Sequence, residues 1–65
     1  MIKYLGKKIR EEKGLSVPQL ADKSQVARNT IYNAERDIHL PDLATLDLIA
    51  ITLEVTPWEL IEFTK

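Results

Sequence analysis

Four side chains that can hydrogen-bond to base edges occur close together in this chain of 65 residues. They are Arg28, Asn29, Tyr32 and Asn33, whose spacing places them on one face of a short helix. An α-helix fits the major groove of duplex DNA, where arginine pairs with guanine and asparagine with adenine through two hydrogen bonds. The pattern therefore predicts contacts between this helix and bases. Three roles are open for Tyr32: contact with a thymine methyl group, a hydrogen bond to a phosphate, or packing beside the preceding helix.

The elements that position this helix are predicted from apolar spacing and capping residues. Residues 15–36 form two short amphipathic helices joined by a tight turn. Ser16 and Gln19 make a capping box before the first of them, whereas Ala27 offers no capping side chain to the second. The whole sequence predicts an all-α chain with five helices, at about residues 2–13, 17–23, 28–36, 43–53 and 57–63. No strand is expected, because alternation of apolar and polar residues never extends beyond four residues.

Basic side chains are concentrated in the first part of the chain. Residues 1–36 hold eight Lys or Arg residues and four Asp or Glu residues. Residues 37–65 hold one Lys and six Asp or Glu residues, and the net charge of the whole chain is −1. Because salt screens charges beyond about 8–10 Å, this local excess favours a polyanionic partner. A chance asymmetry on a solvated surface is the alternative. The candidates for contacts with DNA phosphates are Lys23, Thr30, Arg36 and His39, and for His39 an exposed loop position without function is the alternative.

The composition argues against an enzyme, a metal centre and a membrane protein. The chain has no cysteine and one histidine, which leaves no set of transition-metal ligands, and its two glycines form no phosphate-binding loop. We expect no cofactor and no small-molecule ligand. The lack of cysteine and of a visible signal peptide fits a cytoplasmic, nucleoid-associated protein, and no apolar stretch is long enough to cross a membrane.

The segments LGKKIREEKGLS, QLADKS, VARNTIYNAE and LATLDLIAITLEVTPWEL, in this order, resemble the phage-repressor and Cro type of helix-turn-helix, or XRE, family over residues 5–61. A length of 65 residues predicts one domain, over residues 1–65. The resemblance implies a compact five-helix bundle of the lambda-repressor-like type whose second and third helices form the helix-turn-helix. It implies contacts with the DNA backbone at Val17, Gln19 and Thr30, although valine replaces a polar residue and loses its hydrogen bond to phosphate. It also implies an ion pair between Arg10 and Glu35; a solvated Glu35 carboxylate is the alternative.

Two residues depart from the family pattern at turns. Gln25 and Asp37 stand where relatives usually have a glycine in the left-handed conformation. For Gln25 this conformation costs on the order of 1 kcal/mol, whereas aspartate tolerates it better.

The last third of the chain is more apolar than one buried helix face requires. Leu43, Leu46, Ala50 and Leu53 would fill the inward stripe of the fourth helix. The remaining apolar side chains are predicted to form a dimer interface, as relatives commonly do: Leu48, Ile51, Trp58, Ile61 and Phe63. The alternative is that these residues complete a small core.

Together these features predict a transcriptional regulator of bacterial or phage origin, a repressor or Cro-like switch. We expect it to bind a near-palindromic site in double-stranded DNA as a homodimer. The alternative is a protein-interaction module, antitoxin-like or an assembly partner, that uses the apolar C-terminal surface.

Overall fold

The computed structural model describes residues 1–64, and this part of the chain contains four α-helices, one short 3-10 helix and a two-stranded antiparallel sheet. The strands are β1 (Ile2–Tyr4) and β2 (Ile61–Phe63). The helices are α1 (Gly6–Glu12), α2 (Val17–Ser24), α3 (Arg28–Glu35) and α4 (Leu43–Leu53), followed by the 3-10 helix (Pro57–Leu60). The mostly helical architecture predicted from the sequence is confirmed, but the number of helices is not.

The prediction was wrong at both ends of the chain. The first helix begins at Gly6 rather than at residue 2, and the expected helix over 57–63 is a single 3-10 turn that leads into β2. The cause is pairing between the two ends, with Ile2 opposite Phe63 and Tyr4 opposite Ile61. These β-branched and aromatic side chains lie on one face of the two-stranded sheet, which favours strand over helix.

The helix starts follow the capping residues. The backbone N–H of Gln19 donates to the Ser16 hydroxyl and that of Ser16 to the Gln19 side chain, at 3.2 and 2.8 Å. Asp42 caps α4 by accepting from the N–H of Thr45 at 2.8 Å. At the start of α3, Ala27 makes no side-chain cap, so this helix depends on packing for its position.

The turn between α2 and α3 is fixed by its buried side chains. The Ser24 hydroxyl donates to the carbonyl of Leu20 at 2.7 Å and accepts from the N–H of Val26 at 3.3 Å. Gln25 between them has φ 62°, the left-handed conformation expected at this position, and Asp37 after α3 has φ 57°. The turn therefore sets the angle between the two helices at the expense of backbone strain at Gln25.

The core lies between α2, α3, α4 and the 3-10 helix. Its largest fully buried side chains are Leu20, Ile31, Leu46, Ile49, Leu53 and Leu60. Leu43 does not join them, because 71% of it is exposed at the start of α4, contrary to the prediction from helical spacing. Since eight of the eleven residues of α4 are apolar, the sequence of this helix does not by itself define which face is buried.

Candidate nucleic-acid interface

Helix α3 is held by one face and presents the other to solvent. Ile31 and Ala34 anchor it in the core with 0% and 1% exposure. Arg28 and Asn29 are exposed in its first turn, and Asn33 is half-buried one turn later. The three side chains therefore lie on the accessible part of the helix, as their spacing predicted, and they can reach the edges of bases in a major groove.

Tyr32 lies on the same outward part of α3 and is 38% exposed. The guanidinium carbon of Arg36, one helical turn further, is 5.7 Å from the centre of its ring. This distance is that of a cation–π pair. Arg36 is itself exposed and immediately follows the last residue of α3.

Most residues expected to contact the DNA backbone are accessible. Lys23 at the end of α2 and His39 in the loop after α3 are exposed, and Thr30 is half-buried. The His39 Nδ1 lies 2.8 Å from the carbonyl oxygen of Leu40, which orients the ring.

The two residues at the start of α2 that were expected to contact the DNA backbone, Gln19 and Val17, differ in exposure. Gln19 is exposed, but its side-chain oxygen accepts the N–H of Ser16, which leaves its amide NH₂ group for an outside acceptor. Val17 is 6% exposed and belongs to the core, so any contact with a phosphate at this position would have to come from its backbone N–H. The sequence did not indicate this burial, because Val17 lies in the first turn of a short helix.

A groove of about 310 Å³ connects α3 with the start of α4. Its lining comprises Thr30, Asn33, His39, Pro41, Asp42 and Thr45. Three of these residues, Thr30, Asn33 and His39, were predicted from the sequence to contact DNA, whereas the residues at the start of α4 were not. The Asp42 carboxylate in this groove accepts the N–H of Thr45.

An ion pair joins α1 to the end of α3. The Arg10 Nε and one terminal nitrogen donate to the two carboxylate oxygens of Glu35 at 2.7 and 3.0 Å, and the other terminal nitrogen donates to the carbonyl of Leu15 at 2.8 Å. The two side chains are 10% and 7% exposed. The hydrogen bond to Glu35 raises the pKa of Arg10 above its ordinary value, although burial opposes the shift. This pair fixes the C-terminal end of α3 relative to the rest of the domain.

Tyr4 covers the same region from β1. Its ring lies over Gly6, where an added Cβ would overlap it, and the buried hydroxyl has no hydrogen-bond partner among the described residues. Burial, and then the neighbouring Glu35 charge, raise the pKa of Tyr4 to about 12. The ring is therefore neutral and acts as part of the core.

The C-terminal surface contains large exposed apolar side chains. Leu48 and Ile51 on α4 are 46% and 65% exposed, and Trp58 and Phe63 are 69% and 71% exposed. Ile61 differs from them, because it is half-buried opposite Tyr4 in the sheet.

Within residues 1–64 no group of three or more His, Cys, Asp or Glu side chains is arranged to hold a metal ion. None of the helices described has the length and apolarity needed to cross a bilayer.

The order of the helices and the outward face of α3 are those of a helix-turn-helix, and comparison with known proteins agrees. A family model described as helix-turn-helix matches residues 7–60, so the chain belongs to the helix-turn-helix family of XRE type. The XRE-type resemblance noted in the sequence is thereby confirmed.

One solved structure extends this assignment to the fold. A chain of the SinR protein/SinI protein complex is similar at a TM-score of 0.77 with 31% identity, over 82% of this chain and 52% of that chain. This chain thus corresponds to about half the length of its structural neighbour. No curated protein matches it.

Proposed function

We propose that this protein regulates transcription as a repressor or Cro-like switch by binding a near-palindromic DNA site as a homodimer, with α3 in the major groove. The observation that carries the proposal is the outward face of α3. Its polar side chains are accessible, while Ile31 and Ala34 hold the helix rigidly from behind. A recognition helix must be fixed in this way, because the docking angle decides which side chain reaches which base.

Base discrimination is assigned to three residues of α3. Arg28, in the first turn, is suited to the O6 and N7 acceptors of guanine, and Asn29 or Asn33 to the N6 and N7 of adenine. Each such pair contributes about 1–3 kcal/mol to discrimination against the wrong base.

Contacts with phosphates surround this face. Lys23, Thr30, Arg36 and His39 supply side chains, and Gln19 supplies its free amide group. Residues 1–36 hold eight Lys or Arg against four Asp or Glu residues, and such a local excess favours a polyanionic partner. These contacts would fix the position of the protein on the duplex without selecting a sequence.

Homodimerisation is supported by α4 and the C-terminal segment. Asp47 is the one charged residue among the eleven of α4, and Leu48 and Ile51 are exposed on the side away from the core. A helix that is apolar on both sides is normally buried on both sides. Trp58 and Phe63 extend this surface, with Ile61 at its edge.

A second copy is the occupant that DNA binding requires. A single α3 of eight residues contacts one half-site, which limits both the base contacts and the phosphate contacts of a monomer. Two-fold pairing doubles both kinds of contact and separates two recognition helices by about 34 Å, one turn of DNA.

The alternative function is a protein-interaction module, antitoxin-like or an assembly partner, that binds a different protein through the same apolar surface. Exposed Trp58 favours it, because aromatic side chains are enriched at protein interfaces. The structural neighbour was solved as a complex of two different proteins, the SinR protein and the SinI protein.

Selection of bound duplexes from a randomised DNA library, at about 0.1 M salt to weaken nonspecific binding, tests the proposal. Enrichment of two inverted half-sites one helical turn apart is the expected result. Failure of the folded protein to enrich any sequence would refute regulation by sequence-specific binding. Asn33→Ala should then abolish preference at one base pair per half-site while leaving folding unchanged.

The dimer is tested separately by sedimentation. Ile51→Glu should yield a monomer, whereas Leu43→Glu adds the same charge to an equally exposed leucine outside the proposed interface and should leave the dimer intact. A monomeric wild-type protein that selects single half-sites would retain the DNA function and refute the dimer.

A further inference from the structure

The pair of Tyr32 and Arg36 stands apart from the other polar residues of α3. The two are four positions apart, and the guanidinium carbon lies 5.7 Å from the centre of the ring. Among residues 1–64 the single ion pair within 4.0 Å joins Arg10 to Glu35, so the charge of Arg36 has no acidic partner in this range. A backbone hydrogen bond also fixes the position of Arg36 relative to Tyr32, because the N–H of Arg36 donates to the carbonyl of Tyr32 at 3.0 Å.

We infer that Tyr32 is a positioning residue, whose ring orients the guanidinium of Arg36 towards a DNA phosphate, and that it does not select a base. The inference rests on the proposed DNA function and assigns a role to one residue of its site.

The first reason is the shape of the guanidinium group. It is planar, and when one of its faces lies over an aromatic ring its N–H groups still point outward from the edge. Those edge donors are the ones that bind a phosphate through two parallel hydrogen bonds. The contact with Tyr32 therefore leaves the phosphate-binding side of Arg36 free.

The second reason is conformational entropy. A long, exposed arginine loses side-chain freedom when it binds a phosphate, and this loss weakens the contact. The Tyr32 ring restricts Arg36 before DNA arrives, so less freedom is lost on binding. Tyrosine suits this role because its ring has two rotatable bonds and is itself partly buried on α3.

The third reason is position along α3. Arg28 and Asn29 occupy the first turn, which is the part of a recognition helix that contacts base edges most directly. Arg36 follows the opposite end, and Tyr32 lies between them, one turn from Arg36. A fixed phosphate contact at this end would hold the helix at one angle in the groove while its first turn contacts bases.

The test is a double-mutant cycle on DNA affinity. Tyr32→Phe keeps the ring and removes the hydroxyl, Tyr32→Leu keeps an apolar side chain and removes the aromatic face, and Arg36→Gln removes the charge. Affinities are measured by fluorescence anisotropy for the selected duplex, for its single-base variants and at several salt concentrations. Circular dichroism confirms that each variant is folded.

We expect Tyr32→Leu to weaken binding to every duplex by about two- to fivefold, the range for an exposed cation–π pair. Tyr32→Phe should lose less affinity than Tyr32→Leu for every duplex, because it keeps the aromatic face. In the Arg36→Gln background, Tyr32→Leu should have no further effect. Arg36→Gln should lower the slope of log affinity against log salt by about 0.9, as expected for one lost phosphate contact.

Three results would overturn the inference. If Tyr32→Phe loses as much affinity as Tyr32→Leu, the hydroxyl is the functional group. If Tyr32→Leu changes preference at one base pair, Tyr32 contacts that base. If the effects of Tyr32→Leu and Arg36→Gln simply add, the two side chains do not act together. In all three cases the wild-type protein still binds DNA, whereas a wild-type protein that binds no duplex refutes the proposed function and this inference together.

Discussion

Replacing Glu35 by glutamine should strongly destabilise the domain, because it leaves the positive charge of Arg10 without its counter-charge. The Glu35 side chain is 7% exposed and that of Arg10 is 10% exposed, so water cannot replace the lost carboxylate. Glu35 is also the last residue of α3, where the helix dipole disfavours an anion, and Arg10 offsets that unfavourable position. The retained amide oxygen of glutamine can accept one of the two hydrogen bonds.

The magnitude follows from the burial of the pair. Removing one partner of a buried ion pair costs about 3–5 kcal/mol, and the remaining hydrogen bond places Glu35→Gln near the lower end. A domain of this length has a free energy of unfolding of only about 3–10 kcal/mol, at about 0.05–0.15 kcal/mol per residue. A large fraction of the variant should therefore be unfolded at room temperature.

Urea unfolding followed by far-UV circular dichroism measures the change. Glu12→Gln makes the same substitution at an exposed position of α1 and should stay within about 0.5 kcal/mol of the wild type. The double variant Arg10→Met/Glu35→Leu replaces the pair by apolar side chains and should recover most of the loss. A Glu35→Gln variant that is as stable as the Glu12→Gln control would refute the buried, structural role of this ion pair.

Three further predictions concern local features of the fold. Tyr4→Phe should leave the free energy of unfolding at pH 7 within about 1 kcal/mol of the wild type, since the hydroxyl is unpaired. Because the pKa of Tyr4 is raised to about 12, the wild type should lose stability relative to Tyr4→Phe as the pH rises above 10, where the unfolded tyrosine ionises first; parallel alkaline denaturation curves would contradict this. The N–H of Thr45 lowers the pKa of Asp42 below 3.8, so the ionised carboxylate stabilises the folded state and acid should remove this stabilisation. Asp42→Asn lacks the carboxylate, so the melting temperatures of the wild type and the variant should converge as the pH falls through the lowered pKa. Gln25→Gly should raise the free energy of unfolding by about 1 kcal/mol in urea titrations, because φ of 62° is unstrained for glycine; no gain would show that the Gln25 side chain compensates the strain.

The parts of the fold that the sequence predicted well depend on neighbours in the chain. The capping box of Ser16 and Gln19 and the cap at Asp42 fix the starts of α2 and α4 at the expected residues. These interactions join residues three apart, so they can be recognised without knowledge of the fold. The same holds for the candidate site, since Arg28, Asn29 and Asn33 share a face of α3 by helical spacing alone.

The features that the sequence did not reveal depend on partners far along the chain. Residues 2–4 form a strand because residues 61–63 pair with them, and no local pattern within either three-residue segment predicts that contact. The fifth predicted helix ends after one 3-10 turn for the same reason, although its capping residues are those of a longer helix.

Burial at the site was likewise decided by packing. Val17 is buried although its position in the sequence suggested a surface contact, and Leu43 is exposed although its spacing suggested the core. The ion pair of Arg10 and Glu35 takes its geometry from how α1 and α3 are placed. The sequence alone determined which residues share the outward face of α3, because helical periodicity is local. The tertiary structure decided what holds that face in place, because strand pairing and burial depend on residues that meet only when the chain has folded.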